Sequence, residues 1–122
     1  MKQREIVAAY SNYIDVSVQF SRQKRRWIED SLLQTALDDY RKTVVNLILA
    51  PYLVNIQNLS FEQASNIIHQ WLNICKNERQ LDFNPNHLVN AALIAARKSG
   101  YKPMSLNTLK QKNYDTYQRL RF

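Results

Sequence analysis

Ser60-Phe61-Glu62-Gln63-Ala64-Ser65-Asn66-Ile67-Ile68-His69-Gln70-Trp71-Leu72-Asn73-Ile74-Cys75 is the stretch on which the fold class turns. Ser60 and Gln63 form an S-x-x-Q capping box, in which each residue satisfies a backbone N–H that a helix start leaves without a partner. Phe61, Ala64, Ile67, Ile68, Trp71, Leu72 and Cys75 then recur on one face at helical period. The spacing predicts an amphipathic helix running to near Glu78, followed by a polar connection to Phe83.

Downstream, Asn84 and Pro85 are an N-cap and first-turn proline. The helix they open carries Leu88, Val89, Ala92, Leu93, Ala95 and Ala96, with Gly100 as its left-handed stop. Its alanines imply close approach to a neighbouring helix. Pro103 bars continuation, Ser105 caps a short helix from Leu106 to about Gln111, and Tyr114 to Leu120 reads as a last short helix. Upstream, Tyr40, Val44, Val45, Ile48, Leu49, Tyr52, Leu53 and Ile56 make a stripe that ends near Ile56. Asp38 or Asp39 is the expected N-cap of this helix, and Pro51 should kink it. Trp27, Ile28, Ser31, Leu32 and Thr35 predict a short helix over about 25–35, with Trp27 in the core. The first residues are ambiguous. Ile6, Tyr10, Tyr13 and Ile14 fit a helix, while Val16, Val18 and Phe20 alternate like a strand; helix is preferred up to Tyr13.

The expected architecture is therefore all-α, a compact bundle of about five to seven helices forming a single domain over 1–122, with 1–23 an N-terminal segment of undecided structure. Composition agrees: 45% of the 122 residues are apolar, with one Gly and three Pro, too few turn formers for a β-rich fold. The N-terminus from Met1 to Glu5 is charged with no apolar region after it, and no apolar run reaches the roughly 18 residues a bilayer requires, so neither a secretory signal nor a membrane span is expected. Cys75 is the single cysteine. It permits no internal disulfide and fits a reducing compartment.

The formal net charge of +7 is uneven. Residues 1–96 hold 10 Lys/Arg against 9 Asp/Glu, and residues 97–122 hold 7 against Asp115 alone, a local excess of +6. Such a concentration points to an anionic partner.

Catalytic and metal patterns are weak. His69, Cys75 and His87 have no ligand spacing. Cys75 continues an apolar stripe, which favours the core over a nucleophile. There is no glycine-rich phosphate loop and no G-x-S-x-G. Glu29–Asp30 and Asp38–Asp39 are adjacent pairs, which diverge on a helix and serve more often as solvated or capping groups than as an acid/base dyad. Binding patterns are stronger. Asp38-Asp39-Tyr40-Arg41-Lys42 combines a helix start with two cations, a welcome place for phosphate, although chemistry alone slightly favours a capped, solvated first turn. Arg22, Lys24, Arg25 and Arg26 precede Trp27. At the C-terminus Lys102, Lys110, Lys112, Arg119 and Arg121 interleave with Tyr101, Tyr114, Tyr117 and Phe122, a mixture suited to single-stranded nucleic acid. For Tyr114 and Tyr117, spaced with Leu120 at i, i+3, i+6, docking of the last helix is the preferred role.

Several strings also belong together. They are Arg26-Trp27-Ile28 before Leu32-Leu33, Asp39-Tyr40-Arg41-Lys42, Leu49-Ala50-Pro51-Tyr52-Leu53-Val54-Asn55, Ser60-Phe61-Glu62-Gln63-Ala64, Trp71-Leu72-Asn73-Ile74-Cys75 and Ser105-Leu106-Asn107-Thr108-Leu109-Lys110. In this order, over about 24–120, the chain resembles the helix-bundle domain attached to archaeal-type primase-polymerases, a domain that also forms the family of free-standing, non-catalytic primase subunits, PriX. The resemblance implies an accessory role without enzymatic activity of its own. The chain would hold the initiating nucleoside triphosphate and the single-stranded DNA template beside a partner catalytic subunit, in a heterotrimer with catalytic and large primase subunits. It implies no iron–sulfur cluster or other cofactor, no metal and no membrane, and a cytoplasmic, nucleoid-associated location. Asp39, Arg41 and Lys42 fall where the family's D-x-R motif lies and become the main nucleotide candidates, with Arg25, Arg26 and Tyr52 behind them. Tyr40 stands where the family usually has a small residue. Lys110, Lys112 and Tyr114, after the S-L-x-x-L string, become template or triphosphate contacts, and Lys102, Arg97 and Lys98 extend the nucleic-acid set. A helical regulator of double-stranded DNA and a protein–protein adaptor are the alternatives. Against the first, no recognition helix rich in Arg, Asn and Gln follows a tight turn.

Overall fold

In the computed structural model, which describes residues 24–120, six helices follow one another: α1 (Arg26–Asp30), α2 (over 41–56), α3 (Phe61–Glu78), α4 (Pro85–Ser99), α5 (Leu106–Lys112) and α6 (Tyr114–Arg119). Among the described residues there is no strand. The readings of residues 1–23 lie outside them.

Local capping chemistry explains most of the boundaries. Ser60 Oγ accepts the N–H of Gln63, while Gln63 Oε1 accepts the N–H of Ser60. Asn84 Oδ1 accepts the N–H of His87 at the start of α4, and Ser105 Oγ accepts that of Thr108 at the start of α5. Gly100 ends α4 at φ +65°, where the absence of a Cβ removes the steric cost.

Two elements differ from the sequence expectation. The helix foreseen over about 25–35 stops at Asp30 and continues only as a 3-10 turn, Leu32–Gln34. The carbonyls of Leu32 and Thr35 instead accept the indole N–H of Trp71 at 3.1 and 3.0 Å, and the Thr35 hydroxyl donates to the Ser31 carbonyl. These bonds tie the segment to α3 and compete with further helix. The second difference is the start of α2. Neither Asp38 nor Asp39 caps it: Tyr40 holds the N-cap position in the left-handed region, φ +65°, with no side-chain cap. Asp39 Oδ1 accepts the N–H of Tyr40 at 2.8 Å, so its carboxylate stabilises the turn rather than the helix.

α2 also shows what Pro51 does. The helix is α-helical over Arg41–Val44 and widens to π-helix over Val45–Leu49 and Tyr52–Ile56, one segment on each side of the proline. Widening relieves the clash of the ring with the preceding turn. α4 packs on both α2 and α3, and α5 packs on α6. A single apolar cluster runs through the bundle from Trp27 and Ile28 to Leu109 and Leu120, with Ile48, Leu49, Tyr52, Ile68, Trp71 and Leu93 fully buried. Ala92 and Ala96 are buried at the seam of α4, as the close approach of its neighbours requires.

Candidate functional site

The start of α2 and the end of α3 meet at an open cleft of about 200 Å³, lined among others by Asp39, Tyr40, Lys42, Arg79, Asp82 and Phe83. Its geometry follows from the anchoring of residues 31–37. Trp71 holds the 3-10 turn, and Cys75 Sγ accepts the N–H of Leu37 at 3.4 Å, which delivers Asp38 and Asp39 beside the last turn of α3.

Arg41 is the link between the two elements. Its side chain is directed onto backbone: Nη1 donates to the carbonyls of Arg79 at 2.6 Å and Cys75 at 3.4 Å, and Nη2 donates to Gln80 at 3.2 Å. Arg41 is only 4% exposed. A guanidinium here satisfies carbonyls at the end of α3 and complements the negative end of its dipole. Lys42, one residue on, is exposed and has no ion pair among the described residues. Asp39 is exposed as well.

Asp38, which lines the cleft, makes a contact 81 residues away in sequence. Arg119 of α6 grips Asp38 end-on, Nη1 to Oδ1 at 2.8 Å and Nη2 to Oδ2 at 3.2 Å. The bridge brings the basic C-terminal segment to the start of α2. Sequence reading missed Asp38 and Arg119 as partners, and missed Arg79, Asp82 and Phe83 as lining.

The remaining candidates fall elsewhere. Tyr52 is fully buried, and its hydroxyl donates to Glu29 at 2.9 Å and accepts from Gln57. It lies 11 residues beyond Arg41, toward the other end of α2. Arg25 and Arg26 flank the start of α1, near that far end of α2; Arg26 pairs with Asp30 at 3.4 Å. The structure thus splits the nucleotide candidates between the two ends of α2. Arg97 lies over the ring of Phe61 at 4.1 Å, and Lys98 and Lys102 are exposed around the end of α4. Lys110 and Lys112 are exposed on α5, and Lys110 Nζ lies 5.4 Å from the ring centroid of Tyr117.

Of the expected docking contacts of the last helix, Leu120 is buried at 6% exposure, Tyr117 is half-buried and Tyr114 is 52% exposed and outside the core. Thr116, 4% exposed, and Leu120, at the C-cap, form an i, i+4 pair that faces inward.

Three of the four paired carboxylates have side-chain partners. Glu29 accepts from Tyr52 and Gln57, Asp30 pairs with Arg26, and Asp38 with Arg119. Cys75 is buried, and burial pushes its thiol above the ordinary range, outweighing the lowering by the Leu37 N–H and the Arg41 charge. It is a protonated core residue at neutral pH. Among the described residues no three His, Cys, Asp or Glu side chains gather as a metal site, and no helix is long and apolar enough to cross a membrane.

A family model described as PriX, Primase X, matches residues 17–121. No curated protein gives a significant match.

Proposed function

The chain belongs to the Primase X family, and we propose that it serves a primase as a non-catalytic subunit, holding a nucleoside triphosphate and the single-stranded template for a partner that makes the primer. The observation that carries this reading is the Arg119–Asp38 bridge. It ties α6, part of a segment of charge +6, to the residues that lead into α2 and its exposed Lys42, which supports a triphosphate and a strand being held near one another. Lys42 and Asp39 face the nucleotide, and Arg41 supports them by fixing α2 to α3. Lys102, Lys110 and Lys112 take the template phosphates. The occupation of Glu29, Asp30 and Asp38 by structural partners leaves Asp39 without a second free carboxylate from these pairs, which favours a binding role over phosphoryl transfer. One cysteine in the sequence is too few for this chain alone to ligate an iron–sulfur cluster, which uses four cysteines. Catalytic and large primase subunits are the proposed partners.

The reading is tested by titrating a labelled nucleoside triphosphate into the full chain and into Lys42→Ala. Loss of one charge-assisted phosphate contact should weaken binding roughly tenfold without changing the thermal midpoint. Absence of binding to the wild type, or equal binding by both proteins, contradicts the site.

A further inference from the structure

Tyr114 and Tyr117 form a pair of rings with centroids 5.9 Å apart and planes 23° from parallel. This is the offset-stacked arrangement aromatic rings favour. Lys110 places its ammonium 5.4 Å from the Tyr117 centroid, within cation–π range. The assembly has an unusual position. Tyr114 is 52% exposed and contributes nothing to the core, and α6 is already docked by Thr116 and Leu120. The fold therefore gives no packing reason for a large ring at residue 114. Around it are Lys110 and Lys112, both exposed, and Arg119 is five residues further along α6, held by Asp38.

We propose that Tyr114 is a stacking platform for an unpaired nucleobase of single-stranded DNA, backed by Tyr117 and flanked by Lys110 and Lys112 for the adjoining phosphates. This rests on the nucleic-acid reading above and adds to it the mode of contact. A base has an apolar π face whatever its identity, so the platform accepts any sequence. The stacked Tyr117 ring, itself beside the Lys110 ammonium, restricts the orientations of Tyr114, which lowers the entropy lost when a base lands on it. A site made of lysines alone would bind the strand through phosphates and ignore whether bases are present.

That difference is the test. A labelled oligothymidylate and an abasic strand of the same length are titrated against the full chain, Tyr114→Ala and Tyr114→Phe, with a nucleoside triphosphate as a separate ligand. The wild type should bind the base-bearing strand more tightly than the abasic one. Tyr114→Ala should lose between about 5- and 150-fold of oligothymidylate affinity and keep its abasic affinity, while Tyr114→Phe should match the wild type. Because Tyr114 lies outside the core, the circular-dichroism melting curve of Tyr114→Ala should overlay that of the wild type. Equal binding of both strands by the wild type, or an unaltered Tyr114→Ala, overturns the platform and leaves phosphate binding standing. A Tyr114→Ala defect confined to the triphosphate overturns the strand as occupant. No binding of either strand removes the nucleic-acid reading and the platform together.

Discussion

The guanidinium of Arg41 commits its donors to the carbonyls of Cys75, Arg79 and Gln80. The Arg41 side chain is buried, and its removal takes away three charge-assisted donors together with the packing of the guanidinium between α2 and α3. Arg41→Ala should lose about 2–3 kcal/mol of stability in urea denaturation, whereas the neighbouring substitution at Lys42 should stay within about 0.5 kcal/mol. Near-equal stabilities would contradict the capping role. The two residues are alike in charge and adjacent in sequence, yet one is structural and the other faces solvent. Residue type alone marks both as phosphate ligands. What separates them is where α3 ends, a fact carried some 38 residues away. Asp39 is similar: its position suggests an N-cap, but the left-handed Tyr40 moves the helix start one residue on, and the carboxylate bonds to the turn instead.

α2 is where a single residue shapes an element. Pro51 has no N–H, so the carbonyl four residues back, Leu47, and the one five back, Asn46, each lose the donor that position 51 would otherwise supply. Both are taken by the connection after α4: Met104 N–H donates to Leu47 at 2.8 Å, and the Tyr101 hydroxyl donates to Asn46 at 2.7 Å. The proline thus creates the docking points that hold the segment leading into the basic C-terminal helices. Asn55, farther along α2, donates to the carbonyls of Ala96 and Tyr101 and secures the same segment. Tyr101→Phe should cost about 1 kcal/mol at neutral pH. Burial raises the Tyr101 phenol above its ordinary value. A raised folded-state pKa means full stability below the unfolded value, about 10, and loss as pH rises through the folded one. The phenylalanine variant lacks that loss, so its deficit should shrink between about pH 9 and 11, while the alkaline loss from Cys75 is common to both proteins. A constant or growing deficit, followed by chemical denaturation across that range, would contradict the role of the phenol.

At the scale of the molecule, the order of the helices and three of their caps were legible because capping and periodicity are local: Ser60, Asn84 and Ser105 each cap the helix expected of them. The grouping of site residues was not, because it depends on contacts such as Asp38 with Arg119 that no local pattern encodes. The +6 excess suggested an anionic partner, but only the fold ties Arg119 to Asp38 and leaves Tyr114 outside the core. The Arg119–Asp38 bridge is half-exposed and adds little stability; its importance lies in where it holds α6. Nucleotide and template would then meet on a bundle in which Glu29, Asp30 and Asp38 are engaged by structural partners, with the chemistry on a partner. The most direct measurement is primer initiation by catalytic and large primase subunits with and without this chain, read as formation of the first dinucleotide on a single-stranded template. The chain alone should make no product and should raise dinucleotide yield when added, and Lys42→Ala should raise it less. Primer synthesis by the isolated chain, or no change in yield on its addition, would contradict the account.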